Sequence, residues 1–114
     1  MNELFTLREI CERGGVTRRM VKRYEQKGLV KPVAVNKYGH LLYDEQGLFQ
    51  IKRIRLYHQF GFQLDEIKLL FQMPESQLRK KLNEQIEIME NNLEKYKNLI
   101  LEAKVMVEKM EGND

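Results

Sequence analysis

Cysteine is nearly missing: Cys11 stands alone. One thiol cannot close an intrachain disulfide, which fits a reducing, cytoplasmic setting. Beyond Pro74 there is neither cysteine nor histidine, so the tail offers no thiolates to a soft metal ion. Cys11 itself suits a small packed residue better than a metal ligand. No apolar run approaches the length of a membrane span. The opening segment MNELFTLREI lacks the charged-then-apolar pattern of a signal peptide. No nucleophile sits with a matching base, and no phosphate-cradling loop or metal-ligand spacing occurs. The expectation is a cytoplasmic, non-membrane protein that is not an enzyme and carries no cofactor. His40 and His58 read as surface or interface residues. Proline occurs only at Pro32 and Pro74, and each interrupts a helical pattern.

Charge is present but unevenly spread. The 114 residues carry a formal net charge of +3. Residues 1–74 hold thirteen Lys/Arg and eight Asp/Glu, whereas residues 75–114 hold seven and nine. A basic head and an acidic tail do different work. We therefore expect two domains, 1–74 and 75–114.

In the head, Thr6-Leu7-Arg8-Glu9 is a capping box for a short helix over residues 7–13, stopped by Gly14-Gly15. Thr17 caps a second helix over 18–26, with Val16, Met20, Val21 and Tyr24 on its inner face. Two short helices around a tight glycine turn make a helix-turn-helix. Val33-Ala34-Val35 and His40-Leu41-Leu42-Tyr43 suit two strands around a turn at Asn36–Gly39, a small β-hairpin wing. Asp44 caps a third helix over 45–59, where Ile51, Ile54 and His58 make one row. A fourth helix spans 64–72 with Leu64, Ile67, Leu70 and Phe71 inward.

The tail has the cleanest periodicity. Leu82, Ile86, Met89, Leu93, Tyr96, Ile100, Ala103, Val107 and Met110 alternate at spacings of four and three, which is a heptad repeat. Ser76 is the expected N-cap of one helix over 77–111. A lone helix cannot bury such a seam, so a second copy of the chain is the simplest cover. Met89, Tyr96, Met106 and Met110 fit seam packing better than a ligand pocket. The fold class is mainly α: a winged helix-turn-helix head followed by a long coiled-coil helix.

From Arg13 to Tyr24 there is no acidic residue. Arg18, Arg19, Lys22 and Arg23 supply cations for phosphates and forked donors for base edges on one helix of major-groove size. On charge alone a solvated basic face is the simpler reading; the helix-turn-helix context turns the balance towards double-stranded DNA. The candidate DNA-binding residues are Thr17, Arg18, Arg19, Lys22, Arg23 and Tyr24, joined by Lys37, His40 and Tyr43 of the hairpin. The plain alternative for the hairpin is that it only braces the core; Tyr43 itself reads as core, with a hydroxyl free to bond at the surface.

These segments resemble the MerR family of transcription regulators. The resemblance rests on Phe5-Thr6-Leu7, Gly15-Val16-Thr17-Arg18-Arg19, the run Val21 to Pro32, Gly39, Tyr43-Asp44, Ile51-Lys52-Arg53-Ile54-Arg55 and Gly61-Phe62-Gln63-Leu64-Asp65-Glu66-Ile67. It implies a winged helix-turn-helix head and an antiparallel coiled-coil homodimer. It further implies a palindromic promoter operator that the dimer distorts for RNA polymerase. Two departures matter. The family's usual Leu-Arg-Tyr-Tyr reads Val21-Lys22-Arg23-Tyr24 here, and Leu41 stands where the family's wing carries an arginine. An added effector domain is not expected. The rival readings are an architectural, excisionase-like recombination factor and a protein-interaction module working through the coiled coil.

Overall fold

Helix boundaries follow from side chains that satisfy orphan backbone groups. In the computed structural model, which describes residues 3–112, α1 (Leu7–Gly14) begins at Thr6. The Thr6 hydroxyl accepts from the Glu9 amide while the Glu9 carboxylate accepts from the Thr6 amide, the expected capping box. Gly15 ends the helix in the left-handed conformation, φ 68°, which glycine adopts without a Cβ clash. α2 (Arg18–Gln26) starts at Thr17, whose hydroxyl accepts from the Met20 amide at 3.1 Å. α3 (Glu45–Phe60) starts at Asp44, whose carboxylate accepts from the Gly47 amide at 2.8 Å. α4 (Leu64–Gln72) follows the left-handed Gly61.

The hairpin is shorter than expected and has a third strand. β2 (Ala34–Val35) and β3 (Leu41–Tyr43) pair antiparallel, with Val33 and His40 outside the strands. β1 (Phe5–Thr6), unforeseen in the sequence, pairs with the other edge of β3, giving the order β1-β3-β2. Its register sets Phe5 opposite Tyr43 and Thr6 opposite Leu42. The segment that caps α1 therefore also anchors the wing.

Phe5, Ile10, Val21, Tyr43, Ile51, Ile54 and Ile67 are fully buried. They join the sheet, α1, α2, α3 and α4 into one core. α1 and α3 approach closely at Gly14, where a Cβ would stand 2.9 Å from Ile51 Cγ2. The inward assignment of Phe71 needs correction, and the row on α3 is shifted by one residue at its end. The buried row of α3 is Gly47, Ile51, Ile54 and Tyr57. His58 is exposed, its Nδ1 3.2 Å from the Phe62 carbonyl oxygen. A full helical period after Ile54 falls between Tyr57 and His58, and the larger apolar ring takes the inner place. Phe71 is 39% exposed, with its ring centroid 5.8 Å from that of Tyr57. Leu64, Ile67 and Leu70 already fill the inner face of α4.

The contacts divide the chain into a unit ending at Met73 and another beginning at Pro74. The second is α5 (Glu75–Glu111), 37 residues and about 55 Å long at 1.5 Å per residue. It starts two residues before the expected position. Pro74 is the extended cap residue, its carbonyl accepting from the Gln77 and Leu78 amides. Ser76 lies inside the first turn instead of capping it. α5 has no buried residue. On its seam Ile86, Leu93, Tyr96, Ile100, Val107 and Met110 are exposed. Among the described residues no helix is long and apolar enough to cross a membrane.

Candidate nucleic-acid interface

Each residue of a helix turns by about 100°, and α2 uses that turn to separate two chemistries. Val21 and Tyr24 point into the core. Arg19, Lys22 and Gln26 share the opposite stripe, with Arg18 and Arg23 along its edges, and all five are exposed. Gln26 was missed in the sequence reading, although its spacing of four from Lys22 puts it on the same stripe. Its amide offers the paired donor and acceptor that match adenine.

The cations on this face are free. Among the described residues, ion pairs of the head join Arg8 to Glu12, Arg13 to Glu3 and Lys27 to Asp65. None involves Arg18, Arg19, Lys22 or Arg23. Uncompensated positive charge is left where the helix faces solvent.

Glu25 is the one acid on α2, and the fold occupies it. The Tyr43 hydroxyl donates to its carboxylate, tying β3 to α2. Burial and this bond to an anion both push the Tyr43 phenol above its ordinary range. Tyr43 is 1% exposed and Tyr24 3% exposed, so Tyr24 lies on the inner face of α2 and Tyr43 in the core as expected, and neither ring is open to DNA, which corrects their inclusion among the candidate DNA-binding residues. They support the interface from beneath. The Tyr24 hydroxyl is buried and has no hydrogen-bond partner among the described residues. Burial raises its pKa, and the positive charge of Arg55 partly offsets this. Cys11 is half-buried, and burial raises its thiol pKa, which suppresses thiolate chemistry.

The wing presents Lys37, Tyr38 and His40 on a held turn. The Asn36 side-chain oxygen accepts from the Tyr38 and His40 amides at 2.9 and 3.0 Å. Lys37 Nζ lies 5.1 Å from the Tyr38 ring centroid, and the Tyr38 and His40 rings stand 6.2 Å apart. All three side chains are exposed. Between wing and α2 runs a cleft with Arg18 and Lys22 on one side and Leu7 and Leu41 along its floor. Among the described residues no group of three His, Cys, Asp or Glu is arranged to hold a metal ion.

The profile described as "MerR HTH family regulatory protein" matches residues 5–74. The chain is similar to the HTH-type transcriptional activator mta of Bacillus subtilis (strain 168), at 29% identity over 85 residues. That match takes in 75% of this chain and 33% of the relative, so it spans about a third of the relative's length. A MerR-family transcriptional regulator from Bacillus cereus superposes with a TM-score of 0.82 at 23% identity, covering 94% of this chain and 82% of that one. HiNmlR, described as a MerR family regulator lacking the sensor domain and bound to promoter DNA, superposes with a TM-score of 0.55 at 20% identity. There the coverage is 93% of this chain and 80% of that one.

Proposed function

Because this chain belongs to the MerR helix-turn-helix family of transcriptional regulators, we propose that it is a sequence-specific regulator that binds a palindromic promoter operator as a homodimer. The observation that carries the reading is the outward face of α2: four cations that have no ion-pair partner among the described residues, on a capped helix. One such helix enters one major groove. Arg18, Arg19 and Lys22 meet phosphates, Arg23 meets a base edge, and Thr17 fixes the approach of the helix N-terminus. Lys37 and His40 on the wing meet the flanking backbone.

The homodimer forms through α5. Leu82, Ile86, Met89, Leu93, Tyr96, Ile100, Ala103, Val107 and Met110 cover one another across an antiparallel pair, which removes from water a stripe that the helix leaves open. Two-fold symmetry then sets two copies of α2 on two half-sites. The dimer distorts the promoter between them and acts on RNA polymerase through that distortion. That a structural neighbour was solved on promoter DNA supports the placement at a promoter.

Selection of genomic fragments by the purified protein, followed by footprinting, tests this reading. The expected result is a two-fold symmetric footprint across a promoter spacer. Protection at a recombination site instead would favour the architectural alternative. Absence of salt-dependent DNA binding would leave only the protein-interaction reading.

A further inference from the structure

The cleft between α2 and the wing combines two chemistries that a purely electrostatic grip does not need. Leu41 projects from β3 with 41% of its surface exposed. With Leu7, from the first turn of α1, it lines both of two adjoining hollows beside α2 and the wing. Arg18 lines both hollows, and Lys22 joins it beneath the wing base. A half-exposed leucine beside cations that have no ion pair among the described residues offers apolar surface between positive charges. The occupant that matches is a polymer alternating anionic and apolar groups at short intervals. A DNA strand is one: each phosphate is followed by a deoxyribose whose ring edge is largely apolar.

We infer that Leu41, with Leu7, is a deoxyribose-binding floor over which one DNA strand passes between α2 and the wing. Arg18 and Lys22 hold the flanking phosphates. The inference rests on the DNA-binding reading and deepens it. Leu41 thereby does a different job from an arginine at the same position. It adds contact by excluding water and releases no counterion, so it contributes affinity that salt does not weaken. It also requires the strand to lie close to β3, because a leucine has no reach comparable to that of a guanidinium.

Fluorescence anisotropy on a mixed-sequence DNA duplex, repeated over a salt series, separates the terms. Leu41→Ala should bind roughly tenfold more weakly at every salt concentration, with the slope of log affinity against log salt unchanged. Lys22→Ala should flatten that slope. Leu41→Arg should steepen it without recovering the wild-type affinity at high salt. Leu41 is partly solvent-facing, so its replacement leaves the core intact, and a melting curve of each variant checks this. If wild type binds with a steep salt slope and Leu41→Ala binds equally well, the floor is refuted while the DNA reading stands. The floor is equally refuted if Leu41→Arg exceeds wild type at all salt concentrations, because the position is then an ordinary phosphate site. A wild-type protein that shows no salt-dependent binding overturns the DNA reading itself.

Discussion

Replacing Tyr43 with phenylalanine removes one hydroxyl and keeps the ring that fills the core. That hydroxyl donates to the Glu25 carboxylate. A hydrogen bond to a charged group contributes about 1.5–3 kcal/mol when both ends are shielded. Glu25 is only half-buried, so water replaces part of the bond, and the expected loss is about 1–2 kcal/mol. For a head of this size that lowers Tm by roughly 4–15 °C. The pH dependence has a definite sign. Burial and the Glu25 bond raise the phenol above its ordinary value of 10.0, so the folded chain keeps a proton that the unfolded chain releases. The stabilisation is complete below the ordinary pKa and is lost as pH rises through the folded one. Tyr43→Phe should therefore melt lower at neutral pH yet lose less stability on going into the alkaline range. The flattening is partial, since Tyr24 is also raised. Melting by circular dichroism across pH, with Glu25→Gln and the double variant completing a cycle, isolates the pair. An unchanged neutral Tm together with an unchanged alkaline slope would refute the reasoning. A second readout concerns DNA. Released from Tyr43, the Glu25 carboxylate stands in the cleft with Arg18, Arg19 and Lys22. Tyr43→Phe should weaken DNA binding, and adding Glu25→Gln should restore part of it.

The other predictions are briefer. Gly14→Ala forces a Cβ to 2.9 Å from Ile51 Cγ2 and should cost about 1–3 kcal/mol in urea denaturation, as overpacked cores do; Ile51→Val in the same chain should recover part of it. Glu9 is held below its ordinary 4.5, first by the Thr6 amide and then by the Thr6 hydroxyl. Its stabilisation is present above that value and lost as pH falls through the lowered pKa, so Glu9→Gln should flatten the acid limb of a pH–Tm curve. Lys22→Ala should reduce the salt slope of DNA affinity by about 1 per head, whereas Arg23→Ala should relax one base position by about 1–3 kcal/mol. Equal effects of Arg23→Ala on all sequences would move that residue to the phosphate group.

What was legible in the sequence was local. Thr6, Thr17 and Asp44 announce helix starts because each needs only a neighbour three residues away, and Gly15 and Gly61 announce stops for a similar reason. The α5 seam is legible because nine positions repeat one spacing. What was not legible depended on distant partners. β1 is two residues long, too short for any periodicity, and exists because β3 offers an open edge. Phe71 was placed inward on spacing alone, whereas Leu64, Ile67 and Leu70 already occupied the inner face. The link from Tyr43 to Glu25, eighteen residues earlier, was hidden in the same way. A motif says that an aromatic belongs there, but only packing says which end faces solvent. Leu41 is the informative departure: as a letter it is a missing arginine, and in place it lines a hollow with Leu7, Arg18, Arg19 and Lys22.

The division of charge within the head also explains why pairing matters to its function. One head presents a helix of nine residues and a short wing, enough for a handful of phosphate contacts. Contacts of that number give affinity that falls steeply with salt and tolerates most sequences. A second head fixed at the correct spacing makes the second engagement intramolecular, so affinity rises by effective concentration without any new contact. The linkage must be stiff, because a flexible tether would dilute the second head and accept many half-site spacings. A continuous 37-residue helix without an internal proline supplies that stiffness, provided its seam is covered by a partner. In the homodimer proposed above, the same apolar row also selects DNA sites by their spacing. The sequence preference of that proposed dimer is then the product of a modest base readout by α2 and a strict length readout by α5.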